Sequence, residues 1–235
     1  MEVSTWSPAR SQSDGKGSKD ELIVTFDKGR TARILILPAL FDEANKLRRF
    51  TLTVMRALDE MGIDSALPDW PGCNESLAAL EAQTLEGWRA DALQAAQSFG
   101  ATHCLSIRAG ALLAPTQLSG WQYAPLDGPK LLSAMLRARM IAAREAGQSE
   151  TREDLLERGR AEGLTLAGWP LGAPLVRALE SAALNAAPAQ TVIDQSAVGG
   201  AGLWLRAEPD ENTDQATALA QIVAQDLAGQ TGEEA

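Results

Sequence analysis

The sequence has one histidine, His103, and two cysteines, Cys73 and Cys104, among 235 residues. The cysteines lie far apart and have neither the spacing of a metal site nor that of a redox pair. Free, unpaired cysteines are typical of a reducing compartment, so we expect a cytoplasmic protein. The same scarcity of ligating side chains leads us to expect no metal and no cofactor.

Basic charge is also scarce. The chain has 21 Lys and Arg against 31 Asp and Glu, a formal net charge of −10, and no Lys or Arg lies in 208–235. Binding to nucleic acid requires basic patches that meet the phosphates, so the balance excludes a nucleic-acid surface. The acids of this last segment are typical of a solvated helix face followed by a tail. They are Glu208, Asp210, Glu211, Asp214, Asp226, Glu233 and Glu234.

Long apolar runs are absent. No segment approaches the roughly 20 apolar residues of a membrane-spanning helix, and the first residues lack the apolar core of a signal peptide. A composition of 45% hydrophobic and 22% charged residues is that of a globular protein with a full core. We therefore predict one domain and no membrane span.

Short apolar runs alternate with amphipathic segments along the chain. The runs predict strands over 22–26, 32–37, 63–67, 104–107, 118–123, 164–167, 190–193 and 202–206. The three- and four-residue spacing of apolar residues predicts helices over 42–61, 84–99, 128–146, 150–163, 174–184 and 212–227. Strands that alternate with helices predict an α/β fold, a mostly parallel sheet with helices on both faces.

The segment 104–113 has the pattern of a nucleophile elbow. A buried strand runs into a turn of small residues and then into a helix start, an arrangement usually spelled G-x-S-x-G with serine at the tip. Here the tip is Arg108, Ser106 replaces the first glycine, and Gly110 keeps the last. A guanidinium is not deprotonated in proteins, so Arg108 cannot act as the nucleophile.

Three segments together resemble a known family. They are F-x-E-x-N-K-x-R-R at 41–49, D-x-P-G-C at 69–73 and R-x-G-A at 108–111, followed by the turn Pro125-x-x-Gly128. In these residues, over about 34–228, the chain is similar to the α/β-hydrolase-fold proteins associated with exosortase A systems. It is most similar to their hydrolase 2 type, whose elbow carries arginine in place of serine.

The resemblance implies an α/β-hydrolase fold with a helical lid, and a setting in exopolysaccharide production and protein sorting. It implies that the protein is classed as a hydrolase from its fold, but it does not identify a reaction. Combined with composition, it divides the chain into a disordered leader over 1–20, a hydrolase-like domain over 21–228 and an acidic tail over 229–235. The lid insertion falls at about 127–184.

A triad in this fold runs serine, acid, histidine in chain order. Asp194, after the predicted strand 190–193, occupies the acid position, but Glu208 stands where the histidine is expected. His103 precedes the elbow and is interpreted as a strand residue with a local hydrogen bond. Ser106 is interpreted as strand packing, since no base is placed to activate it. The sequence therefore predicts no Ser-His-Asp catalysis.

Arg108 admits two interpretations that are compatible with each other. It binds an anion, carboxylate or phosphate, at the edge of the sheet, or it forms an internal salt bridge with Asp194, Glu208 or Glu43. The segment after strand 32–37 offers further candidates for the binding cleft. These are Glu43, Asn45, Lys46 and Arg49, which alternatively form the solvated first turns of a helix.

We hypothesise a degenerate hydrolase-fold protein that binds an anionic small molecule or a protein of the exopolysaccharide system. Arg108 anchors the ligand, with Asp194 and Glu208 as its orienting carboxylates. The alternative is an active hydrolase or acyltransferase on an ester or acyl substrate, with an unusual residue set or a partner subunit. A third hypothesis is an interaction module with an exposed apolar patch on the helix from Leu131 to Ile141. The sequence leaves the oligomeric state open.

Overall fold

The structure, a computed structural model, describes residues 1–9, 20–184 and 189–233. Its strands are β1 (Glu2–Trp6), β2 (Glu21–Phe26), β3 (Arg33–Leu37), β4 (Asp64–Pro68), β5 (His103–Ile107), β6 (Ser119–Tyr123), β7 (Leu164–Leu166), β8 (Trp169–Leu171) and β9 (Gln190–Ile193). Its α-helices are α1 (Asp42–Glu60), α2 (Leu85–Phe99), α3 (Gly128–Glu145), α4 (Arg152–Glu162), α5 (Ala173–Ser181), α6 (Gln195–Val198) and α7 (Thr213–Glu233).

Seven strands form one sheet in the order β1-β2-β4-β3-β5-β6-β9. The pairs β1–β2 and β2–β4 are antiparallel, and all the others in this sheet are parallel. The predicted α/β class is therefore confirmed: the chain has a mostly parallel sheet wrapped by helices. The carboxyl ends of β3, β5 and β6 lie side by side, and this edge is where ligands bind in such sheets.

The two faces of the sheet carry separate hydrophobic clusters because successive strand residues point to opposite sides. Leu35 and Leu37 of β3 pack with α2, α3 and α5. Ile34 and Ile36 pack with α1 and α7. The near-continuous apolar run of β3 is thus explained by burial on both faces.

Local signals fix several helix ends. The Thr84 hydroxyl accepts a hydrogen bond from the Gly87 amide at the start of α2, and Gly100 ends that helix at a φ of +67°. The Asp127 carboxylate accepts from the Lys130 amide at the start of α3. These caps account for the agreement between the predicted and observed bounds of both helices.

The chain between β6 and β9 leaves the sheet. It forms α3, α4, the antiparallel hairpin β7–β8 and α5. The apolar residues of α3 face inward: Leu131, Leu132, Met135 and Leu136 are buried, whereas Ile141 is 54% exposed. The predicted apolar docking patch on this helix is therefore wrong, since its leucines belong to the core.

The disordered leader predicted over 1–20 is wrong for the first residues. β1 pairs with β2, and Trp6 packs edge to face on Trp70 with ring centroids 6.1 Å apart. The polar composition concealed this strand because an edge strand needs only one apolar anchor, here Trp6. The middle of the predicted leader, 10–19, lies outside the described residues.

Two further boundaries differ from the prediction. The acidic tail predicted from residue 229 begins too early, because α7 continues to Glu233; residues 234–235 lie outside the described part. The strand predicted over 202–206 is instead a 3₁₀-helix, Leu203–Leu205. This apolar run packs toward α1 and β6 rather than extending the sheet.

No described helix is both long enough and apolar enough to cross a membrane.

Candidate functional site

Arg108 lies at the tip of a strained turn. It directly follows β5 and has a φ of +54°, a backbone conformation that non-glycine residues rarely adopt and that costs of order 1–3 kcal/mol. A 3₁₀-helix, Arg108–Leu113, follows where an α-helix was expected. The backbone of a nucleophile elbow is thus retained, with a guanidinium where the fold usually carries a nucleophile.

Gly110 explains how tightly the elbow packs. A Cβ at this position would lie 2.3 Å from the Leu37 carbonyl oxygen and 2.4 Å from that of Pro38. The turn therefore rests directly on the end of β3. The Ser106 hydroxyl is buried and donates to the Trp121 carbonyl at 3.3 Å, which is the packing role expected of it.

Arg108 forms the internal salt bridge that was one of its two interpretations, and the partner is Glu43. Its Nε lies 2.9 Å from Glu43 Oε2 and its Nη2 lies 3.1 Å from Oε1, a bidentate pair. The two side chains are 12% and 18% exposed. The Nη1 group donates to the Ala124 carbonyl at 2.7 Å. Three of the five N–H groups of the guanidinium therefore have acceptors.

Trp204 covers one face of the guanidinium. The Cζ atom of Arg108 lies 4.1 Å from the centre of the Trp204 ring, a cation–π contact. Trp204 in turn packs edge to face on Tyr123 at 6.0 Å. The guanidinium is held by an ion pair, a carbonyl and an aromatic ring, and it has two N–H groups without an acceptor among the described residues.

A cavity of about 340 Å³ opens beside Arg108. Its walls are mainly apolar, and its charged residues are Arg108, Glu43, Asp42 and Lys130. No serine, threonine, cysteine, histidine or tyrosine is among the described residues that line it. The cavity therefore has no hydroxyl or thiol nucleophile and no imidazole base.

The carboxylates predicted to orient Arg108 do not do so. Asp194 precedes α6, and Glu208 is exposed in the loop before α7; neither accepts a hydrogen bond from Arg108. Glu43 takes that role because Phe41, with a φ of +57° and a ψ of −129°, turns the first residues of α1 toward the elbow.

Three other predicted cleft residues lie outside the cavity. Asn45 is exposed, Lys46 pairs with Asp42 at 2.8 Å one helical turn away, and Arg49 pairs with Glu211 at 2.5 Å. None of the three lines the cavity. The alternative interpretation, the solvated first turns of a helix, is the one that describes Asn45, Lys46 and Arg49.

His103 is far from the elbow. It begins β5, whose other end leads to Arg108, so about 16 Å of strand separates the two residues. Its Nδ1 lies 2.8 Å from Thr102 Oγ1, its Nε2 lies 3.3 Å from Gln230 Oε1, and its ring stacks on Trp121. The prediction of a local role is confirmed, and no histidine reaches the elbow.

A second polar cluster lies at the D-x-P-G-C loop. The buried Asp69 carboxylate accepts from Arg48 at 2.5 Å and from Asn74 at 2.7 Å. Burial, with the nearby charges of Asp69 and Glu21, raises the pKa of the Cys73 thiol to about 12. Cys73 is therefore a thiol rather than a reactive thiolate at neutral pH.

No cluster of three or more metal-ligating side chains occurs in the described chain.

Sequence reasoning missed Trp204, the Ala124 carbonyl and the α3 side chains that form the cavity. A signal existed only for Trp204, an aromatic residue in the G-L-W-L run that precedes the acidic segment. The Ala124 carbonyl is placed by the end of β6, 16 residues from Arg108 along the chain, and the α3 side chains are placed by the packing of a helix that begins 20 residues from it. Their position depends on tertiary structure alone.

Comparisons with known proteins place the fold. No family model matches the chain, and no curated protein matches its sequence. Among solved structures, Est1E from Butyrivibrio proteoclasticus is similar over 97% of this chain and 99% of its own, with 11% identity and a TM-score of 0.57. Est1E with ferulic acid bound matches 90% of this chain and 96% of its own, at 13% identity and a TM-score of 0.54.

A mouse protein, alpha/beta hydrolase domain-containing protein 10, is similar over the full length of both chains, with 13% identity and a TM-score of 0.51. At these identities the likeness concerns the fold alone. Together with the sheet topology and the strained elbow, it establishes that this chain has the α/β-hydrolase fold.

Proposed function

We propose that this protein is a binding protein on an α/β-hydrolase fold, without Ser-His-Asp catalysis, that holds a small anionic ligand at Arg108. The observation that carries the proposal is the guanidinium at the elbow tip, which lies beside a cavity of about 340 Å³. Two of its N–H groups have no acceptor among the described residues. A fixed, planar donor pair suits a carboxylate or a phosphate.

The competing negative charge of Glu43 limits the affinity of this site. Because Glu43 already neutralises Arg108, an anion in the cavity meets a pair with no net charge. Lys130, whose side chain is 74% exposed and whose ammonium pairs with Asp127 at 3.0 Å, adds a second cation to the cavity lining. We expect weak binding of simple anions, with dissociation constants in the millimolar range.

The resemblance to exosortase A-associated proteins supplies a context for the proposal. In that context the protein supports exopolysaccharide production in the cytoplasm, as a ligand-binding protein or as a partner of another component of that system. The resemblance depends on the segments 41–49, 69–73 and 108–111. Glu43 and Arg108, the two residues of the elbow ion pair, belong to the first and the last of these segments.

A serine-directed probe tests the absence of triad catalysis. A fluorophosphonate is expected to leave the folded protein unlabelled, because the cavity lining has no hydroxyl or imidazole. Stoichiometric labelling of Ser106, or of any other serine, would overturn the proposal. So would ester turnover that is lost in an Arg108→Ala variant that still folds.

Binding of inorganic phosphate and acetate, measured by isothermal titration calorimetry, tests the anion site. Arg108→Met is expected to abolish binding. Arg56→Met, at an exposed arginine of α1 outside the cavity lining, is the matched control and is expected to bind like the wild type. Glu43→Gln removes the competing charge and is expected to tighten binding several-fold. Equal binding by the Arg108→Met and wild-type proteins would contradict the proposal.

A further inference from the structure

We propose that the ligand of the elbow cavity is a straight-chain carboxylic acid of about eight carbons. Its carboxylate lies at Arg108 and its chain lies along α3. This inference depends on the proposed anion site and adds the class of ligand that the cavity selects.

The buried wall of the cavity is apolar. Leu40 and Phe41 contribute from the β3–α1 loop, and Leu131 and Met135 from α3, and all four are at most 5% exposed. Such a wall favours a hydrocarbon because apolar area removed from water stabilises the complex. The described lining has no hydroxyl or amide side chain, and its charged side chains are those of Asp42, Glu43, Arg108 and Lys130.

The shape of the cavity favours an extended chain. Lys130, Ala134 and Ala138 line it at four-residue spacing on one face of α3. The distance along the helix from the first to the last is about 12 Å, at about 1.5 Å per residue. The two alanines leave room along this face that larger side chains would fill.

The volume sets the size of the ligand. A cavity of about 340 Å³ admits a ligand of the size of a medium-chain acid. Octanoate has ten non-hydrogen atoms. The volume lies at the small end of the range known for ligand pockets, about 300–1,000 Å³.

The polar groups fix the orientation of such a ligand. Arg108 is largely buried, whereas the side chains of Asp42 and Lys130 are 60% and 74% exposed and belong to the rim. With its carboxylate at Arg108, the ligand therefore has its hydrocarbon chain along the apolar wall. The methyl end then reaches the region of Ala138, toward the solvent.

Titrations with acetate, octanoate, octylammonium and 1-octanol test the inference. Calorimetry gives the affinities, and the fluorescence of Trp204, stacked on Arg108, reports whether the ligand reaches the elbow; a Trp204→Phe variant identifies its share of the signal. A fully buried methylene tightens binding about fourfold, so octanoate is expected to bind at least tenfold more tightly than acetate. The octylammonium ion is expected not to bind, and 1-octanol at least tenfold more weakly than octanoate.

Two phenylalanine variants on α3 locate the chain. Ala138→Phe fills the cavity and is expected to weaken octanoate binding at least tenfold while acetate binding is unchanged. Ala142→Phe, one turn further along and outside the lining, is the control and is expected to bind octanoate normally.

The outcomes separate the two proposals. If acetate binds in an Arg108-dependent manner but octanoate binds no more tightly, the inference about the chain is wrong and the anion site stands. If 1-octanol binds as tightly as octanoate, or Ala138→Phe has no effect, the inference is also wrong. If neither acid shows dependence on Arg108, the proposed anion site itself fails.

Discussion

Arg108 combines a strained backbone with four fixed contacts of its guanidinium. Two come from Glu43, one from the Ala124 carbonyl and one from the ring of Trp204. A left-handed backbone at a residue with a long side chain is stable only when the surroundings compensate for it. The ion pair with Glu43 is the strongest of these contacts, since it is bidentate and largely shielded from water.

The first prediction concerns this pair. Arg108→Met is expected to lower the free energy of unfolding by about 2 kcal/mol, since it leaves the part-buried Glu43 carboxylate unpaired. Glu43→Gln is expected to lower it by about 1 kcal/mol. The double variant should lose about 1 kcal/mol less than the sum of the two. Urea unfolding of the four proteins measures this, and strict additivity would contradict the pairing.

The sequence predicted the apex but not its partner. The pattern of β5 followed by small residues placed Arg108 at the turn, because a buried strand and Gly110 are local signals. The choice of Glu43 over Asp194 and Glu208 depended on the backbone of Phe41 and on how α1 docks. No local pattern encodes either of these, so the sequence hypothesis named Asp194 and Glu208 as the orienting carboxylates, whereas the partner is Glu43.

The elbow as a unit depends on close approach of two backbones. A second prediction is that Gly110→Ala destabilises the protein by about 2–3 kcal/mol, because the added methyl group meets carbonyl oxygens of Leu37 and Pro38 that cannot move easily. Gly229→Ala, in α7 with open space around it, is the control. It is expected to stabilise the protein by about 0.5–1 kcal/mol. Thermal and urea unfolding distinguish the two, and equal effects would count against tight elbow packing.

The end of α3 and the start of α4 are joined by ion pairs at Glu150. Its carboxylate accepts from Arg139 at 2.6 Å and from Arg158 at 3.0 Å. These two guanidinium groups lower the pKa of Glu150 from 4.5 to about 2. A carboxyl group whose pKa is lower in the folded state stabilises the protein above its unfolded pKa, and loses this contribution as the pH falls toward the folded value.

A third prediction follows from the lowered pKa of Glu150. Glu150→Gln is expected to lower the melting temperature relative to the wild type at pH 7, and the difference should shrink as the pH falls from about 4.5 to about 2. Differential scanning calorimetry across this range measures it. Glu75→Gln, at an exposed loop carboxylate, is the control for the removal of one surface charge. A constant difference for Glu150→Gln down to pH 2 would contradict the assignment.

Among the secondary-structure elements, local patterns predicted the longer helices and the parallel strands well, but they missed β1 and predicted a strand where the 3₁₀-helix Leu203–Leu205 lies. Apolar periodicity and caps such as Thr84 and Asp127 act within a few residues, so they are readable from the sequence. β1 and the 3₁₀-helix at Leu203–Leu205 depend on distant partners. β1 needs β2 and Trp70, and Trp204 needs the guanidinium of Arg108.

At the scale of the molecule, the described residues form a seven-stranded sheet between two hydrophobic clusters, and the β7–β8 hairpin is a separate two-stranded sheet. The helices between β6 and β9 share a cluster with α2 and β3, so they have no core of their own. The alternation of strands and helices was sufficient to predict this class of architecture. The strand order was not predictable, since it depends on which strand each helix crosses.

A fourth prediction concerns cooperativity. Because both clusters share the sheet, the chain should unfold in urea in a single transition, with far-UV circular dichroism and tryptophan fluorescence giving coincident curves. Trp169→Phe removes the fluorophore of the β7–β8 hairpin and is expected to leave the fluorescence midpoint at that of the dichroism curve. An early fluorescence change lost in Trp169→Phe would show that the α3–α5 region unfolds independently.

The position of His103 has a consequence for what a single substitution at the elbow can achieve. Arg108→Ser would create a hydroxyl at the apex with no imidazole within reach, and it would also leave Glu43 facing an uncharged neighbour. A single substitution to serine is therefore expected to give a less stable protein that has no Ser-His pair at the apex. Building a Ser-His pair at this apex requires at least a second substitution that supplies the base, and the single variant already carries the cost of an orphaned carboxylate.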